Sequence, residues 1–336
     1  MKAWAITSFN NPWELIEQDI PEPLDGQVLI KIHASGLCGT DVHVTKGMFP
    51  IKLPLVPGHE GVGEIVKLGP GVTNFKVGDR VGVCWHQKGC GRCPYCQSHR
   101  DLYCTGFPTG PITWMQLGGA MAEYMVAESE GCILLPNNLP YKLAAPLFCA
   151  GYTVSSGYHN ACAKPLEVVC VIGIGGLGHL AIQLAKAKGH PVIAITENED
   201  KKALALSLGA DMVIVATSSF GIQLKKLGGA DIILDCSSSN TLSQDALLGL
   251  KPEGRFVLMG IDSKPFEFSN MTLIHNQAKI IGSTQNHKSD LIDILELTAS
   301  GLIKPMVETF SFNQCQEAFN LLKDNKLRFR AVIEMI

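Results

Sequence analysis

Four cysteines lie within one short polar stretch of the chain, GCGRCPYCQSHRDLYC at residues 89–104. Cys90, Cys93, Cys96 and Cys104 follow the spacing C-x2-C-x2-C-x7-C. Four thiolates at this spacing suit a tetrahedral zinc ion in a closed structural site. An iron–sulfur cluster is the alternative, but the ferredoxin run has three residues before its last cysteine and a proline after it. We expect zinc, because seven residues separate Cys96 from Cys104 here and the only adjacent proline, Pro94, follows the second cysteine.

A second set of side chains able to bind a metal or carry a proton is scattered over the first 150 residues. The segments GLCGTDVH, PGHEGVGEIV and APLFCAGYT supply Cys38, Thr40, Asp41, His43, His59, Glu60 and Cys149. Each of these residues, considered singly, could be an ordinary packed side chain. The set becomes specific only in combination with the four-cysteine stretch.

A glycine-rich loop follows an apolar run in VVCVIGIGGLGHLAIQLAKAKG. Gly173, Gly175 and Gly178 have the spacing G-x-G-x-x-G, with Gly176 and Leu177 between the last two. Glycines there allow a tight turn and a close backbone approach, and the amides at the start of the next helix favour a pyrophosphate. A purely structural turn is the alternative. The strand before the loop and the helix after it favour a dinucleotide site.

The next apolar run, PVIAITENEDKK, should end near the adenosine ribose of such a dinucleotide. An acid there favours NAD, whereas hydroxyls with a nearby cation favour NADP. Thr196, Lys201 and Lys202 indicate a 2′-phosphate, and Glu197 would repel one. The sequence leaves both nucleotides open.

The composition indicates a globular protein of two domains: 336 residues, 46% hydrophobic and 18% charged, with a formal net charge of −3. The charge gives no basic face for nucleic acid, and no apolar run is long enough to cross a membrane. The first residues lack the apolar core of a secretion signal, so we expect a cytoplasmic protein. Its 12 cysteines should therefore be reduced, which favours metal ligands over disulfides.

The pattern of apolar runs changes along the chain. Up to about residue 150, short β-like runs alternate with Gly and Pro, as in an irregular all-β domain. From about residue 165, six strand-sized apolar runs alternate with helices, which predicts an α/β domain with a doubly wound parallel sheet.

These motifs together make the sequence resemble the zinc-dependent alcohol dehydrogenases of the medium-chain dehydrogenase/reductase superfamily. The resemblance rests on GHEGVGEIVKLGPGV, GDRVGV, the four-cysteine stretch and the glycine loop, and it covers nearly the whole chain. It implies a GroES-like β-barrel catalytic domain from residues 1–150 and 286–336, with a zinc lobe at about 88–106. It also implies a Rossmann domain at 151–285 and a homodimer or homotetramer.

The resemblance implies two zinc ions per subunit and a role for each matching residue. The structural zinc would be bound by the four clustered cysteines, and the catalytic zinc by Cys38, His59 and Cys149. Glu60 would lie beside the catalytic metal, Asp41 would orient His59, Thr40 would take the alcohol proton, and His43 would relay it. Thr153 would line the nicotinamide and Arg330 would contact the cofactor phosphates. Gly39 stands where many relatives have His or Arg.

The implied activity is reversible hydride transfer between a small primary or secondary alcohol and NAD(P). Zinc would dominate catalysis, because it can lower the pKa of bound water from about 15.7 to about 7, whereas a general base contributes about 10²–10⁴-fold. An NADPH-dependent aldehyde reductase of the cinnamyl-alcohol type is the first alternative, and a non-catalytic zinc-containing nucleotide-binding protein is the second. Trp85 and Trp114 are candidate walls of the substrate pocket, although ordinary packing would also account for them.

Overall fold

The computed structural model describes residues 1–98, 100–106, 117–216, 219–262 and 264–335. The chain forms two compact units, Met1–Cys149 with Met306–Ile336, and Ala150–Pro305.

The first unit consists mainly of short strands. Its elements are β1 (Lys2–Ala5), β2 (Glu14–Glu17), β3 (Gln27–Leu37), α1 (Gly39–Thr45), β4 (Gly61–Leu68), β5 (Arg80–Val83), α2 (Pro94–Gln97), β6 (Tyr124–Glu128), β7 (Cys132–Leu134) and α3 (Tyr141–Ala144). Short 3₁₀ segments lie at Asp101–Tyr103, Ser129–Gly131 and Ala145–Phe148.

The second unit alternates helices and strands. Its elements are α4 (Ala150–Asn160), β8 (Val169–Ile172), α5 (Gly178–Ala187), β9 (Val192–Thr196), α6 (Lys202–Ser207), β10 (Met212–Val215), α7 (Phe220–Lys226), β11 (Ala230–Asp235), α8 (Asn240–Ala246), β12 (Leu250–Leu258), α9 (Asn270–Asn276), β13 (Lys279–Gly282) and α10 (Lys288–Ala299), with 3₁₀ segments at Glu199–Lys201 and Leu247–Gly249. The chain then returns to the first unit with β14 (Val307–Ser311), a 3₁₀ segment at Phe312–Gln314, α11 (Cys315–Lys323) and β15 (Arg330–Glu334).

The boundary between the units lies later than the sequence predicts. The second unit ends at Pro305, not at residue 285, because α10 packs against α4 within that unit. The hydroxyl of Ser156 on α4 donates a hydrogen bond to Asp290 at the start of α10, 2.9 Å away. The start of α10 is thereby tied to the second unit.

A seven-stranded sheet of order β14-β15-β3-β4-β5-β7 organises the first unit, and β6 also pairs with β3. The long strand β3 pairs antiparallel with β4, β6 and β15. Its side chains Val28, Ile30 and Ile32 are buried in one apolar cluster, which fixes the register of the strand. The expected irregular β domain is confirmed, and its strand β14 was absent from the sequence prediction.

The second unit contains a six-stranded parallel sheet of order β10-β9-β8-β11-β12-β13. The strand order reverses between β8 and β11, and in such sheets ligands bind beyond the carboxyl ends of the strands at this point. Cys170, Ile172 and Ile233 are completely buried, as expected for strands covered on both faces. The predicted doubly wound sheet is confirmed.

Within the described residues, no helix has both the length and the apolar character needed to cross a membrane.

Candidate metal centres and nucleotide loop

The first cluster lies at the ends of elements in the seven-stranded sheet. Cys38 follows β3, His59 precedes β4, and the antiparallel pairing of these strands brings the two residues together. Cys149 follows a fully buried 3₁₀ segment ending at Phe148. Each of these residues and Glu60 offers a donor atom, and all four atoms lie within 4.8 Å of one another.

The donor set fits a divalent metal ion. His59 is 1% exposed, and neither of its ring nitrogens has a hydrogen-bond partner among the described residues. The Sγ atoms of Cys38 and Cys149 are 3.6 Å apart. The hydrogen bond between the two thiols is the main cause that lowers the pKa of Cys38 and raises that of Cys149. Two sulfurs and an imidazole match a catalytic zinc that keeps an open position.

Helix α1 carries three of the predicted catalytic residues beside this cluster. Thr40 Oγ1 lies 3.6 Å from Cys38 Sγ. Asp41 is completely buried, and its Oδ2 accepts a hydrogen bond from the Cys38 amide at 2.9 Å. His43 lies one turn after Thr40, and its Nδ1 is buried with no hydrogen-bond partner in the described residues. The structure therefore brings Thr40 and Asp41 to the predicted metal ligands, with His43 one turn further along the helix.

Glu60 and Arg330 form a buried ion pair at the same centre. Nη2 of Arg330 donates to Oε1 of Glu60, and the two residues are 5% and 0% exposed. The predicted contact of Arg330 with cofactor phosphates stays a prediction, and the pairing with Glu60 was missed. The two residues are 270 positions apart, so no local pattern in the sequence indicates the contact.

Of the two predicted pocket tryptophans, Trp85 lies against His59 of the predicted metal site. Its ring meets that of His59 edge-on, with centroids 5.0 Å apart. Trp114 lies outside the described residues.

The four clustered cysteines have the geometry of a single-ion site. The Sγ distances are 3.5 Å for Cys93–Cys96 and 4.0 Å for both Cys90–Cys96 and Cys93–Cys104. A tetrahedron with Zn–S bonds of about 2.3 Å has sulfurs about 3.8 Å apart. A multi-iron cluster would spread the sulfurs over separate irons, so the distances favour one zinc ion.

Backbone amides donate hydrogen bonds to these sulfurs and so favour the thiolate form that binds a cation. The amide of Cys90 donates to Cys104 Sγ at 3.2 Å, and that of Cys93 donates to Cys90 Sγ at 3.4 Å. The amide of Cys96 is the main cause that lowers the pKa of Cys93 to about 5, because it stabilises the thiolate. Helix α2 in this lobe has no buried residue, so apolar packing alone cannot hold the lobe together.

The lobe is attached to the sheet through a buried acid that the sequence did not indicate. Lys88 Nζ pairs with Glu128 Oε2 on β6 at 2.6 Å, and Gln27 Nε2 on β3 donates to Glu128 Oε1 at 3.0 Å. Glu128 is 5% exposed and Lys88 32% exposed, so the acid is shielded from water while the ammonium group is only partly shielded. This contact fixes the start of the lobe beside β3.

The glycine loop connects β8 to α5 in the second unit. Gly173 has φ +82°, a backbone conformation that residues with side chains rarely adopt. A Cβ on Gly178 would lie 1.8 Å from the Gly173 carbonyl oxygen, so the close approach of the chain requires glycine there. A Cβ on Gly175 would meet nothing within 4 Å. The space above Gly175 is thus available to a ligand, and the loop, including Gly176 and Leu177, fits the predicted pyrophosphate site.

The end of β9 places a hydroxyl and a cation near this loop. Thr196 is 3% exposed, and its Oγ1 accepts a hydrogen bond from the amide of Asn198 at 3.2 Å. Lys201 Nζ donates to the carbonyl of Ile174 inside the loop at 3.1 Å. Glu197 is exposed at the end of the strand. Thr153 lies on α4, half-buried, and its contact with nicotinamide stays a prediction.

Comparisons with known proteins agree with both units. Residues 24–137 match the alcohol dehydrogenase GroES-like domain, and residues 176–300 match the zinc-binding dehydrogenase domain. An alcohol dehydrogenase from Geobacillus stearothermophilus is 36% identical over 339 aligned residues, covering 100% of both chains.

Solved structures of similar proteins superpose over almost the full length. A cinnamyl alcohol dehydrogenase from Sorghum bicolor has a TM-score of 0.87 at 30% identity, over 99% of this chain and 97% of that one. The alcohol dehydrogenase from Aeropyrum pernix has a TM-score of 0.89 at 27% identity, over 100% of both chains. With the domain matches and the full-length relative, they show that the chain belongs to the zinc-type alcohol dehydrogenase family of the medium-chain dehydrogenase/reductase superfamily.

Proposed function

We propose that the protein is a zinc-dependent alcohol dehydrogenase that transfers hydride reversibly between a small primary or secondary alcohol and NAD(P). The observation that carries this proposal is the convergence of Cys38, His59 and Cys149, whose donor atoms lie within 4.8 Å of one another. Three such ligands leave one position for a substrate oxygen.

The chain's own residues have separate tasks in this reaction. Zinc, when bound by Cys38, His59 and Cys149, supplies Lewis acidity toward the substrate oxygen. The Thr40 hydroxyl, 3.6 Å from Cys38 Sγ, accepts the alcohol proton, and His43, on the same face of α1, passes it outward. A bound nicotinamide would supply the acceptor for the hydride of the alcohol carbon, and the oxidised product would be an aldehyde or ketone. In the reverse direction Thr40 returns the proton.

The glycine loop would bind the pyrophosphate of either nicotinamide nucleotide. Lys201, anchored on the Ile174 carbonyl, and Thr196 support a 2′-phosphate, while Glu197 supports the unphosphorylated ribose. Both nucleotides therefore belong to the proposal, and binding measurements separate them.

A rate panel tests the proposed activity. The purified protein should oxidise ethanol, hexanol or benzyl alcohol with one of the two nucleotides, and it should reduce the matching aldehydes. Trp85, whose ring meets that of His59 edge-on, would narrow the substrate pocket. The enzyme should therefore prefer small or flat alcohols to a hexitol. A clear preference for the hexitol would contradict the pocket assignment, and no turnover of any alcohol or aldehyde with either nucleotide would contradict the proposed function.

An NADPH-dependent aldehyde reductase of the cinnamyl-alcohol type is the second candidate. The cation at Lys201 and the similarity to the Sorghum bicolor enzyme favour it. Cinnamaldehyde reduction with NADPH that is much faster than alcohol oxidation with NAD would select it.

We also propose two zinc ions per subunit and assembly into a homodimer or homotetramer. The two donor clusters support the metal count, and the family resemblance supports the assembly. Elemental analysis and light scattering of the purified protein measure the two quantities directly.

A further inference from the structure

Gly36 on β3 lies where any larger residue would collide with Glu60. A Cβ built at position 36 would be 1.9 Å from Glu60 Oε2 and 2.8 Å from its Cδ. Gly36 is buried, and it is not among the residues with positive φ. Its backbone conformation would therefore tolerate a side chain, so the requirement for glycine here comes from the space occupied by the carboxylate.

The Glu60 carboxylate has two possible sets of partners. Its Oε1 pairs with Arg330, whereas Oε2 has no hydrogen-bond partner among the described residues. A carboxylate oxygen of Glu60 also lies within 4.8 Å of the donor atoms of Cys38, His59 and Cys149. As a fourth protein ligand, Glu60 would complete a tetrahedral zinc site and remove the position that a catalytic site keeps open.

We propose that Gly36 is a positioning residue that keeps this fourth position free, an inference that rests on the proposed metal site. The space left by the missing side chain accommodates Oε2, so the carboxylate remains paired with Arg330 beside the metal. A methyl group at position 36 displaces Oε2. Because Glu60 is completely buried, its displaced carboxylate cannot reach water. The metal position between Cys38, His59 and Cys149 is then the neighbouring site that it can bind.

The inference predicts a specific loss of ligand binding in Gly36→Ala. Co²⁺ is exchanged into the Cys38–His59–Cys149 site, and imidazole, as an added monodentate ligand, is titrated against the visible spectrum. We expect the Kd for imidazole to rise tenfold or more in Gly36→Ala. The double variant Gly36→Ala/Glu60→Ala should return to within threefold of Glu60→Ala, because the competing carboxylate is gone.

Two results would overturn the inference: imidazole binding to folded Gly36→Ala that equals the wild type, or a loss that Glu60→Ala does not restore. Thermal unfolding shows whether the variant is folded. If it is not, Arg330→Gln releases Glu60 without adding a side chain at position 36, and the same loss and the same restoration by Glu60→Ala are expected. A wild-type protein that takes up no Co²⁺ at this site would refute the proposed function together with the inference.

Discussion

The buried carboxylate of Asp41 lies 3.7 Å from Nδ1 of His59, measured from Oδ1. Its other oxygen accepts the amide hydrogen of Cys38, so one side chain is held beside two of the metal-ligand residues. The distance to His59 is longer than a hydrogen bond, but the negative charge still favours a basic imidazole whose Nε2 is free for a metal. Burial lowers the pKa of His59, but Asp41 and Cys38 together outweigh this effect, so the pKa lies well above its ordinary value.

Asp41→Asn should weaken metal binding at this centre. The amide keeps the shape of the side chain but removes the charge that favours the imidazole, and residues in this role are worth about 10–100-fold in metal affinity. Competition with a chromophoric chelator measures the change. The four-cysteine site is the internal control: it should bind zinc as in the wild type, and equal weakening at both sites would contradict the assignment.

Thr40→Ala should lower kcat for alcohol oxidation by about 10²–10⁴-fold, because the hydroxyl that accepts the proton is removed. Thr40→Ser is the matched control, and it should retain most of the activity since it keeps the hydroxyl. Steady-state rates with a good alcohol substrate measure both variants. Similar losses in the two variants would indicate a packing role for the Thr40 methyl group instead.

Lys201→Ala should weaken NADPH binding more than NADH binding. The ammonium group is fixed at the glycine loop by the Ile174 carbonyl and has no carboxylate partner within the part of the chain that the structure describes. Charge-assisted hydrogen bonds are worth about 1.5–3 kcal/mol, or about tenfold or more in Kd for a phosphorylated ribose. Fluorescence titration of each nucleotide gives the two values.

Lys202→Ala is the control for this measurement. Its Nζ lies 3.4 Å from Glu199 Oε1, so it is already engaged by an exposed acid, and its removal should change neither affinity much. Glu197→Gln should act in the opposite direction and tighten NADPH. Equal weakening of both nucleotides in Lys201→Ala would assign the lysine to the loop structure, not to the ribose.

Much of this architecture could be predicted from sequence because its signals are local. The alternation of apolar runs and helices predicted the six-stranded sheet, and fixed cysteine spacing predicted the donor set at Cys90–Cys104. Glycine spacing likewise located the loop between β8 and α5.

Contacts that depend on distant pairing could not be predicted in this way. Glu60 and Arg330 meet only because β15 pairs with β3, and the separate strand β14 is a short, half-exposed run without clear alternation. The second unit extends beyond the expected boundary at residue 285 to Pro305 because α10 packs on α4, and the sequence of α10 alone does not indicate this packing. In each case the information lies in tertiary packing and not in a window of sequence.

The second unit should lose stability in acid because the interactions of the Asp211 carboxylate are lost there. Its Oδ1 pairs with Lys186 at 2.6 Å, and its Oδ2 accepts the amide hydrogen of Val192 at the start of β9, 2.8 Å away. The bond from Lys186 is the main cause that lowers the pKa of Asp211 below its ordinary value of 3.8, and the Val192 amide adds to it. Both bonds stabilise the charged carboxylate, and therefore the folded state.

The sign of the pH dependence follows from this lowered pKa. The stabilisation is complete above the ordinary pKa of 3.8 and is lost as the pH falls through the lower folded-state value. Asp211→Asn should cost about 0.5–1 kcal/mol at pH 7, a small figure because the side chain is half exposed, and the difference from wild type should shrink below pH 3.8. Urea unfolding of the wild type and the variant at pH 7 and below pH 3.8 measures this difference in the free energy of unfolding. Asp200→Asn, at an exposed acid with no ion pair in the described residues, should show neither effect, and a constant difference at both pH values would assign the loss to packing.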